Sequence, residues 1–157
     1  MAVRSALVSD LDELARLNDQ IQHQHAILYP DEFKYPIDSV DVKIYFKSII
    51  GSDENTVLVA ESNDAVQAYL YYEMQQRLEN TFKFGFRRFY IHHVVVDTPY
   101  RRSGIATELF QAVEKRARLQ GIRVIGLDSW ALNTDAHVYF EQRGLDVCRL
   151  VYSKTLD

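Results

Sequence analysis

The stretch Phe89–Ala106, FYIHHVVVDTPYRRSGIA, constrains this chain more than any other. It opens as an apolar, β-branched run, Phe89 to Val96, of the kind that forms a buried strand. Asp97, Thr98 and Pro99 then turn the chain, because proline has no N–H to give a ladder and fixes its own φ. Arg101-Arg102-Ser103-Gly104-Ile105-Ala106 opens a long amphipathic helix, with Ile105, Leu109, Val113 and Ala117 on one stripe and Gly121 to stop it. The first N–H groups of a helix have no partner inside it and lie at the positive end of its dipole. Strand, basic turn and helix N-terminus in succession make a cradle for an anion, and Gly104 lets a bulky one approach the backbone. A diphosphate suits such a cradle. The chain contains neither G-x-x-x-x-G-K-[ST] nor G-x-G-x-x-G, so a P-loop and a dinucleotide fingerprint are both excluded.

The rest of the chain bounds the setting. Its 157 residues are read as one domain, 1–157, long enough for a real core. Hydrophobic content of 47% and charged content of 25% are globular values, and no apolar run approaches a membrane span. The N-terminus MAVRSALVSD lacks a signal-peptide core, so a cytoplasmic location is expected, with no membrane partner. The single cysteine, Cys148, excludes an internal disulfide and suits a reducing compartment; it is expected in the core. A formal charge of −4 argues against nucleic acid as a partner and is compatible with a cationic acceptor.

Periodicity supplies the elements. Ala2–Leu7 reads as a strand, and Ser9 as the cap of a helix over about 10–26 carrying Leu11, Leu14, Leu17 and Ile21 on one face. His23 and His25 near its end do not share a face, so no metal site is expected and solvent exposure is. Tyr29–Pro36 is a loop, and Ser39–Ile50 a second helix capped by Asp38 or Ser39. Thr56–Glu61 and Val66–Gln75 form a hairpin about Ser62-Asn63-Asp64, and Gln76–Arg87 is a longer polar turn. After the cradle helix come a strand at Ile122–Leu127, a helix at Thr134–Arg143 ended by Gly144, and a last strand at Val147–Tyr152. This is an α/β chain, with a mixed central sheet of about six or seven strands flanked by about four helices.

Arg101-x-x-Gly104-x-Ala106 behind a strand resembles the R/Q-x-x-G-x-G/A motif of the GNAT superfamily of N-acetyltransferases. About thirty residues on, Asn133-x-x-Ala136 followed by Tyr139-Phe140-Glu141 and Gly144-Leu145 is similar to that family's N-x-x-A…Y-E-x-x-G-F segment. The order of elements matches the GNAT fold over nearly the full length. The resemblance implies acetyl-coenzyme A as cosubstrate and no metal. Its pyrophosphate would lie on Arg101, Arg102, Ser103, Gly104, Ile105, Ala106 and Thr107. Its thioester would lie beside the backbone of Val94, Val95 and Val96, and its pantetheine or phosphate arm beside Asn133 and Tyr139.

Acetyl transfer to an amine needs a proton acceptor, donors for the thioester oxygen and, usefully, a donor for the departing thiolate. His92 lies twelve residues before Gly104, where many relatives carry the base. Strand alternation puts His92 and His93 on opposite faces, with His93 a packed neighbour. The acid position of the family falls on Phe140, which cannot donate. Tyr139 would project about 100° away around a helix. Either Tyr139 serves through a shifted helix, or another donor does, or the thiolate leaves unaided. Trp130 and Tyr69–Tyr72 are open to a role in the acceptor site or in the core, and Asp128 to meeting a cationic acceptor or a structural hydrogen bond. His23–Phe33 and Gln76–Arg87 are the segments expected to choose the acceptor. The expected activity is acetyl transfer to a primary amine of a small molecule or protein, the rival being an inactive coenzyme A-binding sensor. Dimerisation is common in the family, and the tyrosine-rich and final strands are where a homodimer would pair.

Overall fold

A computed structural model describes residues 1–156. Five strands run in sequence order across one sheet: β1 (Ala2–Ser5), β2 (Asn55–Ser62), β3 (Ala65–Arg77), β4 (Phe86–Val96) and β5 (Ile125–Leu127). The first four pair antiparallel, and β5 runs parallel to β4. A parallel neighbour cannot be reached by a tight turn, so a helix must carry the chain back. That helix is α3 (Ile105–Leu119). The β2–β3 turn is a tight one, with Asn63 and Asp64 at φ +51° and +58°, the left-handed pair that a two-residue hairpin requires.

Alternation along the strands divides the core into two layers. Val57, Val59, Tyr69 and Tyr71 face α1 (Leu11–Leu28) and α2 (Ser39–Ile50), packing on Leu14, Leu17, Phe46 and Ile49. Leu58, Leu70, Tyr72 and Phe89 face α3, meeting Leu109, Phe110 and Val113. Tyr139 and Phe140 of α4 (Thr134–Gln142) and Leu145 just after it close over this second layer. Each fully buried Leu or Phe contributes roughly 1.5–3 kcal/mol, so the two layers hold the sheet from both sides.

Four expectations change. The sheet has five strands among the described residues, not six or seven. Val147–Tyr152 is not a strand: its residue types suit one, but no neighbour takes up its backbone groups, and Val147, Val151 and Tyr152 are exposed. Cys148 within it is therefore exposed rather than in the core. At the first helix, Ser9 lies in a short 3-10 turn, and Asp10 stands at the helix start instead. The Asp10 carboxylate accepts from the Arg4 guanidinium at 2.8 and 3.0 Å, which holds its carboxyl below the usual range, and the Leu7 N–H at 2.7 Å adds to this. No helix among the described residues is long and apolar enough to cross a membrane.

Candidate active site

β4 is the seam of the molecule. On one side it pairs with β3 along its whole length, up to Ala68↔Val96. On the other it pairs with β5 only at Phe89, Tyr90 and Ile91. Beyond Ile91 the two parallel strands part, leaving the β5-side backbone groups of Val94–Val96 without a strand partner. Backbone N–H groups seek partners, and an opening beyond the carboxyl ends of parallel strands is where ligands of open α/β sheets lie.

The cradle lies at the end of this seam. Thr98–Tyr100 form a 3-10 turn, Arg102 takes a left-handed φ of +61°, and Gly104 takes φ +88° at the N-cap of α3. No side chain caps this helix, so its first N–H groups point outward unclaimed. A Cβ on Gly104 would meet nothing within 4 Å, so glycine answers a backbone angle here and leaves the helix mouth open. Arg101 folds back, its Nε donating to the Val96 carbonyl at 3.1 Å. It lines a cavity of about 460 Å³ together with Gln20 and Gln24 of α1, Thr98, and Asn133 to Asp135 at the start of α4. Asn133 occupies the N-cap position of α4 without spending its side chain on a cap, so its amide is available to the cavity. The two sequence motifs thus meet across one groove.

Tyr139 packs edge-on against Phe110, at 5.7 Å between ring centres. Its hydroxyl is buried toward Thr107 yet makes no hydrogen bond of normal geometry, and burial raises its pKa. It stays protonated and holds an uncommitted donor near the first turn of α3. Phe140 packs on the same Phe110 at 6.2 Å.

The two histidines correct the alternation argument. Tyr71 pairs with His93 and Tyr72 with Ile91, so His92 is an extra residue in a β-bulge. The bulge turns both rings to the α1/α2 side, where each touches Tyr71: His92 stacked at 4.8 Å and His93 edge-on at 5.6 Å. His93 Nδ1 shares a hydrogen bond with the Tyr69 hydroxyl at 3.2 Å beneath Phe46, and burial pushes its pKa down to about 4. It is neutral at ordinary pH. His92 is accessible, its Nε2 2.8 Å from Glu73 Oε2. Hydrogen bonds from His92 and then Gln75 hold the Glu73 carboxyl below its ordinary range. Glu73 went unnoticed in the sequence because it lies nineteen residues before His92 and only the β3–β4 register joins them.

Further aromatic groups frame this side. Asp128, just past β5, accepts from the Tyr90 hydroxyl at 2.8 Å, and burial, then Asp128, push that phenol up to about 12. Trp130 leans on Tyr29 (4.6 Å) and Phe33 (5.2 Å), and the Tyr29 hydroxyl accepts from the Leu132 N–H at 2.9 Å. The loop after α1 is thereby tied to the loop before α4. His25, expected in solvent, is partly buried against Phe33 (4.7 Å), and burial lowers its pKa. Tyr69–Tyr72 are all buried sheet residues.

The profile of the Acetyltransferase (GNAT) family matches residues 18–145. The chain belongs to the GNAT acetyltransferase family. Solved structures share its fold over nearly their whole length. The tetramutant of the BH1408 protein from Bacillus halodurans superposes with a TM-score of 0.92 at 23% identity, covering 99% of this chain and 100% of that one. An aminoglycoside antibiotic 6'-N-acetyltransferase from Acinetobacter haemolyticus reaches a TM-score of 0.77 at 18% identity over the full length of both chains. The aminoglycoside N-acetyltransferase AAC(6')-Iy, solved in complex with CoA, reaches 0.75 at 15% identity, covering 98% and 93%. No curated protein sequence matches the chain. As a GNAT protein, this chain places the two family motifs at one groove.

Proposed function

We propose that this GNAT domain transfers an acetyl group from acetyl-coenzyme A to a primary amine of a small molecule or protein by direct attack on the thioester. One observation carries the reading: β5 leaves β4 at Ile91, and the next residue is His92, held by a carboxylate. An accessible imidazole thus stands where the opening in the sheet begins, with the cradle at the other end.

In this reading the backbone of Arg101, Arg102, Ser103, Gly104, Ile105, Ala106 and Thr107 receives the pyrophosphate. The arm of the coenzyme follows Asn133 and Tyr139, and the thioester lies beside Val94, Val95 and Val96. The free N–H groups there suit an oxygen on which charge develops. His92 donates Nε2–H to Glu73, which leaves Nδ1 with its lone pair to take the proton of the attacking amine, directly or through water. The nitrogen lone pair forms the new N–C bond, the C–S bond breaks, and the sulfur leaves as thiolate. Tyr139 carries the hydroxyl available to protonate it. Relatives of the same fold named for aminoglycosides support an amine acceptor, and Asp128 and Glu73 suit a cationic one. Phe140 at the usual acid position is the feature that an inactive coenzyme-binding module would share; the His92–Glu73 pair favours the enzyme.

Thermal shift with acetyl-coenzyme A, followed by thiol release against a panel of amines including aminoglycosides and polyamines, tests this. The expected result is stabilisation by the coenzyme and amine-dependent release. Stabilisation without release from any amine would leave the binding module, and no stabilisation would remove the reading.

A further inference from the structure

The face of β4 that carries His92 holds a second charged group. Phe89 and Ile91 point into the α3 layer, so Phe86, Arg88, Tyr90 and His92 share the opposite face. Their contacts follow that alternation. The Arg88 guanidinium lies 4.8 Å from the Phe86 ring centre and 4.7 Å from that of Tyr90, and the Tyr90 ring meets His92 at 5.3 Å.

The β3 partners fix this row. Gln75 stands opposite Arg88, and Glu73 opposite Tyr90. Arg88 Nε donates to Gln75 Oε1 at 2.9 Å, and Gln75 Nε2 donates to Glu73 Oε2 at 3.1 Å. That same oxygen holds His92 Nε2 at 2.8 Å. One amide, accepting at one end and donating at the other, ties the guanidinium to the proposed base and keeps it off the carboxylate between them. Among the described residues no carboxylate lies within 4.0 Å of Arg88. Its two Nη groups have no protein hydrogen bond and are not sealed from solvent. Gly126 of β5 leaves them room, since a Cβ there would stand 3.7 Å from Arg88 Nη1. Two rings and an amide thus immobilise this guanidinium while its outer donors stay unspent. Such a fork matches the two oxygens of a carboxylate.

Resting on the acetyltransferase reading, we propose that Arg88 selects the acceptor, a primary amine that carries a carboxylate at its far end. Arg88 and His92 are four residues apart on one strand, roughly 13 Å. A hydrogen bond at each end takes up about 3 Å, which leaves roughly 7 Å between amine and carboxylate, about the span of a six-carbon ω-amino acid. Glu73 and Asp128 flank the amine end. Arg77, 4.5 Å from the same Phe86 ring, keeps the other end positive. A polycation would meet a like charge there.

The test is thiol release from acetyl-coenzyme A with 6-aminohexanoate, its neutral amide and spermidine, using the parent, Arg88→Gln and Arg88→Lys. Calorimetric titration of 6-aminohexanoate in the presence of coenzyme A runs beside it. In the parent, kcat/KM for 6-aminohexanoate should exceed that for the amide by at least ~10-fold, as a charged hydrogen bond provides. Arg88→Gln should bring that ratio near one through KM, and Arg88→Lys should keep its direction. A merely structural Arg88 would slow both substrates alike and leave the ratio unchanged, which would overturn the proposal. So would a parent that prefers spermidine or does not distinguish acid from amide, and either result would spare the acetyltransferase reading. If no amine releases thiol, binding of 6-aminohexanoate that needs Arg88 would keep the carboxylate site and remove that reading. Absence of such binding would overturn the site as well.

Discussion

On a regular strand, alternation from Phe89 and Ile91 would put His92 on the Tyr71 side with Tyr90 and turn His93 toward α3. The extra residue in β4 brings His93 to the Tyr71 side as well, edge-on at 5.6 Å, beside a His92 stacked at 4.8 Å and hydrogen-bonded to a carboxylate. The position of His92 relative to Gly104 was readable from spacing; the side taken by His93 was not, because no residue type announces a bulge. Glu73 was invisible for a related reason, since long-range register decides which carboxylate meets which imidazole. If His92 takes the proton of the amine, His92→Gln should lower kcat/KM by roughly 10²–10⁴-fold and change its pH profile. An unchanged rate and profile would assign the base elsewhere. Tyr139 asks for a different comparison. A thiolate is a good leaving group, so Tyr139→Phe separates a proton donor from a packing residue. A donor should cost roughly 10-fold or more in kcat with the coenzyme affinity kept. A rate within about a factor of two would remove it from that role.

At the scale of elements, the cradle is a strand, a 3-10 turn and a helix whose cap has no side chain. The sequence expresses that directly: Pro99 sets the turn, Gly104 sets φ, and the stripe from Ile105 to Ala117 buries the helix against the sheet. Local chemistry dictated each piece, and each was legible. The last strand failed because strand propensity lies in Val147–Tyr152 but strand formation lies in the partner. Gly104→Ala separates the two duties of the glycine. A left-handed φ costs an L-residue roughly 1–2 kcal/mol, and the added methyl meets no protein atom. The expected thermal midpoint is therefore only about 2–8 °C lower. The methyl would project at the mouth of the helix, so acetyl-coenzyme A affinity should fall by about 10-fold or more in protein that is still fully folded. Equal coenzyme affinity in the variant and the parent, by calorimetry, would place the phosphates away from this turn.

The molecule as a whole carries its pH response in the layer between the sheet and α1/α2. His93 titrates near its ordinary 6.5 when unfolded and at about 4 when packed under Phe46, because burial disfavours the cation. Between those values the unfolded chain binds a proton that the folded chain refuses. Its contribution to stability is complete above pH 6.5 and falls as the pH drops toward 4, by up to ~1.4 kcal/mol per unit, then levels off. His25, also lowered by burial, adds a slope of the same sign. The paired carboxylates Asp10, Asp97 and Glu73 have lowered values too, so their contributions are present above the ordinary carboxylate range and are lost only in stronger acid. The interval from pH 6.5 to about 4.5 therefore isolates the histidines. Urea denaturation across that interval should show a steady fall in unfolding free energy for the parent and a shallower one for His93→Gln, whatever the absolute stability of the variant. Parallel slopes would mean that the imidazole takes its proton inside the fold. The buried layer beside the proposed base would then be wetter than its packing implies.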